Sequence, residues 1–226
     1  MKKFLKKSKY NFENIIVLGG SKGIGKSIYQ NINHLSKNCL ACSRKDIDTS
    51  DIESVLNFSK KFNAVDAIIL NSGGPPAKPF EKITEEDWIL YFKQMFLGYV
   101  TLLKKIKIKK NGYIFYISSS IINQPEENLV ISSSLRVAFS SLLKSLSKNY
   151  SKKNISVINI APGPFKTNRI KELVSDMKHF EKTLPTGKIG DPKEIGLFVK
   201  YILENRIKYL SGSTIYFDGN INKNFM

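Results

Sequence analysis

Short apolar segments alternate with longer amphipathic segments along almost the whole chain of 226 residues. The short segments are rich in β-branched residues, as buried strands are, whereas the longer ones repeat their apolar residues every three or four positions, as helices do. This alternation is typical of a parallel sheet covered by helices on both faces, so we expect a single α/β domain. Strands are predicted at 14–18, 38–43, 66–70, 112–117, 154–159 and 213–217, and helices near 24–35, 51–61, 85–107, 130–150, 168–181 and 192–205.

The chain is long enough for one domain with a substantial core. Its start, MKKFLKKSKY, is basic, and we expect residues 1–12 to form a solvated tail and residues 13–226 to form the domain. The longest clean apolar runs, 15–18 and 67–70, are much shorter than a membrane span, and no apolar segment follows the basic start. We therefore expect no secretory signal, no membrane association and a cytoplasmic location.

The net charge of +17 raises the question of nucleic-acid binding. The lysines are scattered, apart from the N-terminus and 104–110, and aromatic residues do not interleave with them as base stacking requires. We therefore expect no nucleic-acid partner. The positive field should instead attract small anionic ligands such as nucleotide phosphates.

Cys39 and Cys42 have the C-x-x-C spacing of redox and zinc sites. They fall on a predicted strand, where residues three apart point to opposite faces. We therefore expect two free thiols in a reducing compartment, and no metal site.

A glycine-rich segment, LGGSKGIGKSI, joins the first predicted strand to the first predicted helix. Glycines at 19, 23 and 25 let the backbone turn sharply and approach a pyrophosphate closely. The helix begins near Ile24, and its free N–H groups would point at the same phosphates. The segment therefore predicts a dinucleotide-binding loop.

This loop resembles the T-G-x-x-x-G-I-G loop of the short-chain dehydrogenase/reductase family, with Leu18 in place of the threonine. The resemblance covers nearly the whole chain. It implies a Rossmann-type, doubly wound parallel sheet of six to seven strands, with six clear strands because the chain is short between Arg44 and Asp48. Further matches occur, in family order, at NSGG (71–74), YISSS (116–120), APGPFKT (161–167), GKIGDPKEI (187–195) and SGSTIYFDG (211–219).

The resemblance also implies a nicotinamide cofactor. Arg44 ends the second predicted strand, where an acid would hold the ribose of NAD and a basic residue would accommodate the 2′-phosphate of NADP. Lys22 could assist Arg44, and Asp48 resembles the family aspartate that touches the adenine. We expect NADP(H) in preference to NAD(H), although both cations could be plain surface charges. The cofactor-binding residues implied are Gly19, Ser21, Lys22, Gly23, Ile24, Gly25, Arg44, Asp48, Asn71, Gly73, Arg136, Pro162, Gly163 and Thr167.

The family's catalytic positions are altered in this chain. Relatives use a tyrosine for proton transfer, a lysine four residues later, a serine that holds the substrate oxygen and an asparagine that anchors a water. The family spacing keeps the serine as Ser119 but puts Ser132, Arg136 and Met95 in place of the tyrosine, lysine and asparagine. Arg136 retains the positive charge, whereas a serine is a poor acid near neutral pH unless a base activates it. Ser119, Ser132 and Arg136 are the catalytic residues expected.

The helix at 130–150 carries two of these residues. Its apolar spacing predicts one buried face, and Ser132 and Arg136, four residues apart, share another. The register leaves open which of Ser132, Ser133 and Ser134 faces the cofactor. The face predicted to be buried comprises Ile131, Leu135, Ala138, Leu142 and Leu146.

Two functions are compatible with this pattern. The N-S-G-G-P-P loop, combined with serine and arginine, resembles an atypical branch of the family whose members are 3-oxoacyl-reductase-like. The first hypothesis is therefore an oxidoreductase with altered proton chemistry that acts on a small-molecule carbonyl or hydroxyl substrate. The alternative is a catalytically silent NADP(H)-binding sensor or scaffold protein. The resemblance further implies a homodimer or homotetramer formed through the helices at 85–107 and 130–150.

Overall fold

The computed structural model describes residues 10–223, and its centre is one parallel sheet. The strands lie in the order β2-β1-β3-β4-β5-β6, and every neighbouring pair is parallel. This confirms the doubly wound sheet, with six strands and no seventh within residues 10–223. The strands are β1 (Phe12–Leu18), β2 (Ser36–Cys42), β3 (Val65–Leu70), β4 (Ile108–Ile117), β5 (Ser156–Pro162) and β6 (Ser213–Phe217).

Eight α-helices accompany the sheet in the described part of the chain. Several begin with the polar caps that their sequences provide: Asp51 accepts a hydrogen bond from the Glu53 N–H, and Thr84 and Asp87 form a reciprocal capping box. The helices are α1 (Gly23–Ile32), α2 (Ile52–Ser59), α3 (Glu85–Phe92), α4 (Gly98–Lys105), α5 (Val130–Ser151), α6 (Asn168–Leu173), α7 (Met177–Thr183) and α8 (Pro192–Glu204).

Helices cover both faces of the sheet. On one face, α2, α4 and α5 pack through residues such as Phe58, Leu102 and Phe139. On the other face, α1 and α8 pack through residues such as Ile28 and Val199. The central strands β1, β3 and β5 are apolar on both sides because each side contacts a helical layer.

Two predicted helices are interrupted. The segment predicted as one helix at 85–107 contains a π-helical turn, Lys93–Leu97, between α3 and α4. The segment predicted at 168–181 forms two short helices, because Val174 is extended and Asp176 caps a new helix by accepting a hydrogen bond from the His179 N–H.

The prediction for the buried face of α5 was wrong in part. Ile131 and Leu135 are buried, but Ala138 is exposed, and Leu142 and Leu146 are only half-buried. The continuous buried stripe instead runs along the face that begins with Ser132 and Arg136. It continues through Phe139, Leu143 and Ser147.

Helix α5 also has a high mean hydropathy, which the short uninterrupted apolar runs of the sequence did not indicate. The segment Glu127–Ser151 is long and apolar enough to cross a membrane by length and composition, with a mean hydropathy of 1.3. Core helices of globular domains have the same composition, and Phe139 and Leu143 of α5 pack in the cluster that covers the sheet.

The start of β1 and the edge strand β2 can be compared with the sequence predictions. Residues 1–9 of the predicted basic tail lie outside the described residues, and Phe12, predicted as the last residue of that tail, is buried in β1. β2 pairs with β1 on one side and forms an edge of the sheet. Within residues 10–223 no strand pairs with the outer side of β2.

Candidate active site

The chain reverses its direction of winding between β1 and β3. It passes from β1 outward to β2 and then returns to β3 on the other side of β1. Ligands of open α/β sheets bind at such a switch point, outside the carboxyl ends of the strands. The glycine loop follows β1 and the NSGG segment follows β3, so both predicted binding segments lie at this point.

The glycine loop has the backbone that its sequence predicts. Gly19 and Gly23 have φ of +59° and +52°, values that favour glycine. A Cβ on Gly25 would lie 2.2 Å from the Gly19 carbonyl oxygen. Gly25 thus lies against the loop and does not line the cleft, whereas Gly19 and Gly23 do. No acidic residue occupies the first turn of α1, so the N–H groups that begin this helix are suited to an anion.

Asn71 connects the two strand ends. Its Nδ2 donates hydrogen bonds to the carbonyl oxygens of Leu18, at 3.3 Å, and Gly19, at 3.4 Å. The side chain therefore holds the glycine loop against the segment that follows β3. Sequence comparison implied only that Asn71 contacts the cofactor; in the structure it also fixes the loop.

Two adjoining clefts open at this edge of the sheet. The larger has a volume of about 440 Å³, the smaller about 310 Å³, and both are lined by Gly19, Asn71 and Gly73. The larger also contains most of the remaining predicted site residues, namely Ser21, Lys22, Gly23, Ile24, Ser119, Ser132, Arg136, Pro162, Gly163 and Thr167.

The smaller cleft contains the residues predicted to select the nucleotide. Arg44 Nε donates to Asp48 Oδ2 at 2.8 Å, and Arg44 Nη2 donates to Ser50 Oγ at 3.2 Å. Partial burial acts to raise the pKa of Asp48, but hydrogen bonds from Ser50 and Arg44 outweigh it and the pKa is lowered. The aspartate therefore holds Arg44 at the rim of the cleft while the Arg44 side chain remains mostly exposed.

Ser132 and Arg136 form a hydrogen-bonded pair in the larger cleft. Arg136 Nε donates to Ser132 Oγ at 3.2 Å, and Nη1 donates to the carbonyl oxygens of Ile117 and Ser118 at 3.0 and 2.9 Å. Arg136 is thereby fixed to the end of β4. Because Ser132 accepts from Arg136, its own hydroxyl hydrogen is left to donate toward the cleft.

The three consecutive serines of α5 have different environments. Ser133 Oγ donates back to the Leu129 and Val130 carbonyl oxygens, and Ser134 is exposed outside the larger cleft. Ser132 alone of the three lines that cleft. Ser132 is therefore the one of the three whose position in the larger cleft suits contact with a ligand. Ser119 lines the same wall and caps a short turn by accepting from the Ile121 N–H.

Tyrosine and methionine side chains near Arg136 face the core and not the cleft. The Tyr116 and Tyr99 hydroxyls are buried beneath α5, and burial raises the pKa of both phenols. Met95, which the resemblance aligned with the family asparagine, is 1% exposed and packs with Ile131 and Leu135. None of these three side chains lines the larger cleft.

Two residues that line the clefts, Arg169 in the larger and Gln94 in the smaller, were not predicted from the sequence. Arg169 of α6 reaches across the larger cleft and donates to the Pro75 carbonyl oxygen, and its Nη1 pairs with Glu172 at 3.2 Å. Gln94 donates to the Gly73 carbonyl oxygen at 2.8 Å from the π-helical turn. A lone basic residue in a lid segment and a glutamine in a helix carry no spacing signal that would have identified them.

Cys39 and Cys42 are free and belong to the packing on opposite faces of the sheet, as their spacing predicted. Burial raises the pKa of the Cys39 thiol to about 11 and that of Cys42 to about 12. No cluster of three or more histidine, cysteine or acidic residues suited to a metal occurs among residues 10–223.

The residues at the switch point fit a dinucleotide. The loop around Gly19 and Gly23 leaves the backbone open to a diphosphate, and a β-carbon at Gly73 would meet no atom within 4 Å. Arg44 lies beside the smaller cleft, at the end of β2 where a 2′-phosphate would be recognised.

Comparisons with known proteins agree with this geometry. A family model described as "Enoyl-(Acyl carrier protein) reductase" matches residues 27–222. The 3-oxoacyl-(acyl-carrier-protein) reductase FabG of Chlamydia muridarum is 24% identical over 216 residues, which cover 92% of this chain and 87% of that protein.

Solved structures share the fold over nearly the whole chain. A structure from Brucella melitensis described as "Short-chain dehydrogenase/reductase SDR:Glucose/ribitol dehydrogenase" superposes with a TM-score of 0.84 at 19% identity, covering 96% of this chain and all of that one (100%). A small-chain dehydrogenase in complex with NADPH superposes with a TM-score of 0.80 at 25% identity, covering 92% and 97% of the two chains.

Proposed function

The chain belongs to the short-chain dehydrogenase/reductase family, and on this premise we propose that it is an NADP(H)-dependent oxidoreductase acting on a carbonyl or hydroxyl group of a small molecule. The observation that carries the proposal is the pair of adjoining clefts at the carboxyl ends of β1 and β3. They combine a glycine loop suited to a diphosphate with a wall of serine and arginine suited to a polar reacting group. The likeness to a 3-oxoacyl reductase supports a 3-oxoacyl-like substrate.

The glycine loop and Arg44 would hold NADPH, which would supply the hydride for a carbonyl carbon of the substrate and would leave as NADP⁺, while the carbonyl oxygen would take up a proton to become a hydroxyl. We assign Ser119 and Ser132 to holding that oxygen, because both line the larger cleft. Arg136 orients Ser132 through the 3.2 Å hydrogen bond from Nε and adds positive charge beside the developing oxyanion. The proton comes from water, from the substrate, or from Ser132 assisted by Arg136.

The preference for NADP(H) rests on Arg44. The Arg44 guanidinium lies at the rim of the smaller cleft, and its pairing with Asp48 leaves the side chain mostly exposed to a 2′-phosphate. Fluorescence titration should give tighter binding of NADPH than of NADH, and Arg44→Ala should remove most of the difference. Equal affinities in the unaltered protein would contradict the assignment.

Turnover is tested by following NADPH oxidation with a panel of carbonyl compounds. Ser132→Ala should lower kcat by about tenfold or more, because a donor to the reacting oxygen is lost. Ser134→Ala is the matched control, because Ser134 lies on the same helix but outside the larger cleft. Equal losses in the two variants would contradict the role assigned to Ser132.

The second candidate is a catalytically silent NADP(H)-binding sensor or scaffold. It is favoured by Met95, which fills the family asparagine position with a buried apolar side chain that cannot hold a relay water. Tight NADPH binding without turnover of any compound in the panel would support this candidate. Turnover that depends on Arg136 would exclude it.

We also propose a homodimer or homotetramer in the cytoplasm. Exposed apolar side chains on α3 and α5, among them Ile89, Phe92 and Val137, would be covered in such an assembly. Light scattering coupled to size exclusion should give two or four copies, and a monomer would contradict the proposal.

A further inference from the structure

Arg136 is a buried cation without an acidic partner. It is 8% exposed, and no carboxylate oxygen within residues 10–223 lies within 4.0 Å of its guanidinium. The two carbonyl oxygens and the serine hydroxyl that it contacts satisfy hydrogen bonds but carry no full negative charge. A buried charge is costly unless a counter-charge compensates it. Within residues 10–223 no side chain supplies this counter-charge to Arg136, and a bound anion would supply it.

The unused side of the Arg136 guanidinium faces an opening beside Gly74. Its Nη2 takes part in none of these three hydrogen bonds. The position that a β-carbon on Gly74 would occupy lies 3.4 Å from Ser132 Oγ, 3.7 Å from Arg136 Nη2 and 3.8 Å from Arg169 Nη2, and no atom beyond Gly74's own chain neighbours is nearer. Three hydrogen-bond donors, two of them cationic, therefore surround one opening in the cleft.

Arg169 strengthens this arrangement from the opposite wall. It is held in place by the Pro75 carbonyl oxygen and by Glu172, and its side chain is about one-third exposed. Glu172 also lines the larger cleft, but its side chain is mostly exposed, so solvent weakens its pairing with Arg169. Arg136 has no such acidic partner within residues 10–223.

We infer that this opening is a carboxylate-binding subsite, and that the substrate of the proposed oxidoreductase is an oxo acid or hydroxy acid held by Arg136 and Arg169. The inference rests on the proposed function and narrows it to substrates with a free carboxylate beside the reacting carbonyl. Guanidinium groups bind carboxylates through two parallel hydrogen bonds, and two arginines are suited to this chemistry.

The cofactor's diphosphate is the other anion that could use Arg169. Gly23 belongs to the phosphate loop, and a β-carbon on Gly23 would lie 3.2 Å from the Thr167 side chain. Arg169 follows Thr167 by two residues, but its Nη2 lies at the opening beside Gly74, together with Ser132 Oγ and Arg136 Nη2. Because that is the reacting end of the cleft, we assign Arg169 to the substrate.

The test uses the full-length protein with matched pairs of oxo acids and their methyl esters, such as acetoacetate and methyl acetoacetate. The acids should have the higher kcat/KM. Arg169→Gln should raise KM for the acids by about tenfold or more, because a charge-assisted hydrogen bond is lost, and should leave the esters unaffected. Lys171→Gln is the control: it removes the same charge from the same helix at an exposed residue outside the cleft, and it should change neither KM.

Two further measurements keep the inference separate from the proposed function. If Arg169→Gln weakens NADPH binding and leaves KM for the acids unchanged, Arg169 binds the cofactor and the inference is wrong. If no compound is turned over, the proposed function fails, and titration of the NADPH complex with benzoate and with methyl benzoate decides the subsite. Benzoate-selective binding that Arg169→Gln abolishes would support the subsite, and no selectivity would overturn it.

Discussion

The substitution Gly25→Ala tests whether the conformation of the phosphate loop requires a residue without a side chain at position 25. The added β-carbon would lie 2.2 Å from the Gly19 carbonyl oxygen and 2.7 Å from Asn71 Nδ2. Ordinary contact would require the loop to move by about 1.3 Å or more, since carbon contacts are optimal at about 3.5–4.0 Å. Such a shift would weaken the hydrogen bond from Asn71 to Gly19 and move the start of α1.

Overpacking of this kind costs about 1–3 kcal/mol. For a chain of this size, that cost lowers Tm by about 2–12 °C. NADPH affinity should fall by more than about tenfold, because the N–H groups of the loop no longer converge. Differential scanning calorimetry and NADPH fluorescence titration measure the two effects.

Gly73→Ala is the matched control for Gly25→Ala. Its β-carbon would meet no atom within 4 Å, so Tm should stay unchanged. Any loss of NADPH affinity in this control would reflect occupation of the cleft itself. A Gly25→Ala protein with unchanged Tm and unchanged NADPH affinity would refute the reasoning.

Three other perturbations have outcomes set by burial or by hydrogen bonding. Phe139→Ala should cost about 3–5 kcal/mol in urea unfolding because Phe139 is fully buried (0% exposed), whereas Asn149→Ala, at an exposed position of the same helix, should change stability by less than about 0.5 kcal/mol. The lowered pKa of Asp48 contributes stability above the unfolded value of about 3.9, and this is lost as the pH falls through the lower folded value. The stability difference between the unaltered protein and Asp48→Asn should therefore shrink between about pH 5 and pH 2, and a constant difference would contradict it. Cys39 and Cys42, whose raised pKa values of about 11 and 12 leave little thiolate, should react with iodoacetamide near neutral pH only after unfolding; rapid labelling of the native protein would show the opposite.

The fold could be predicted because local pattern and global architecture agree. Most strands are apolar runs, and most helices have a cap or an amphipathic period, so these elements do not depend on distant residues. The π-helical turn at Lys93–Leu97 could not be predicted in this way. It precedes Gly98, where a β-carbon would lie 2.1 Å from the Thr49 carbonyl oxygen, and this close packing involves residues distant in sequence.

The buried face of α5 shows where the periodicity argument fails. Apolar spacing favoured the face containing Ala138 and Leu142, but the face that packs on the sheet begins with Ser132 and Arg136. Polar residues can occupy a buried face if the sheet end supplies hydrogen-bond acceptors, as the Ile117 and Ser118 carbonyl oxygens do for Arg136. A helical pattern of apolar residues carries no information about such acceptors.

The part of the candidate site that could be predicted is the part carried by short sequence motifs next to strand ends. The glycine loop, Asn71 and the residues on α5 meet at one edge of the sheet, as the order of motifs implied. Arg169 was missed because its role depends on the path of α6 across the cleft, and that path is set by tertiary packing.

The outer side of β2 is a second surface at which copies of this protein can meet, separate from the proposed helix interface. Along this side, within residues 10–223, the backbone N–H and C=O groups have no neighbouring strand, and such an edge can act as a template for another extended chain. Lys37 and Asn38 are exposed there, and the net charge of +17 makes copies repel one another. Salt shortens the range of this repulsion to about 8–10 Å at physiological strength. Colloidal stability should therefore decrease as ionic strength rises, so concentrated stocks are best kept in dilute buffer.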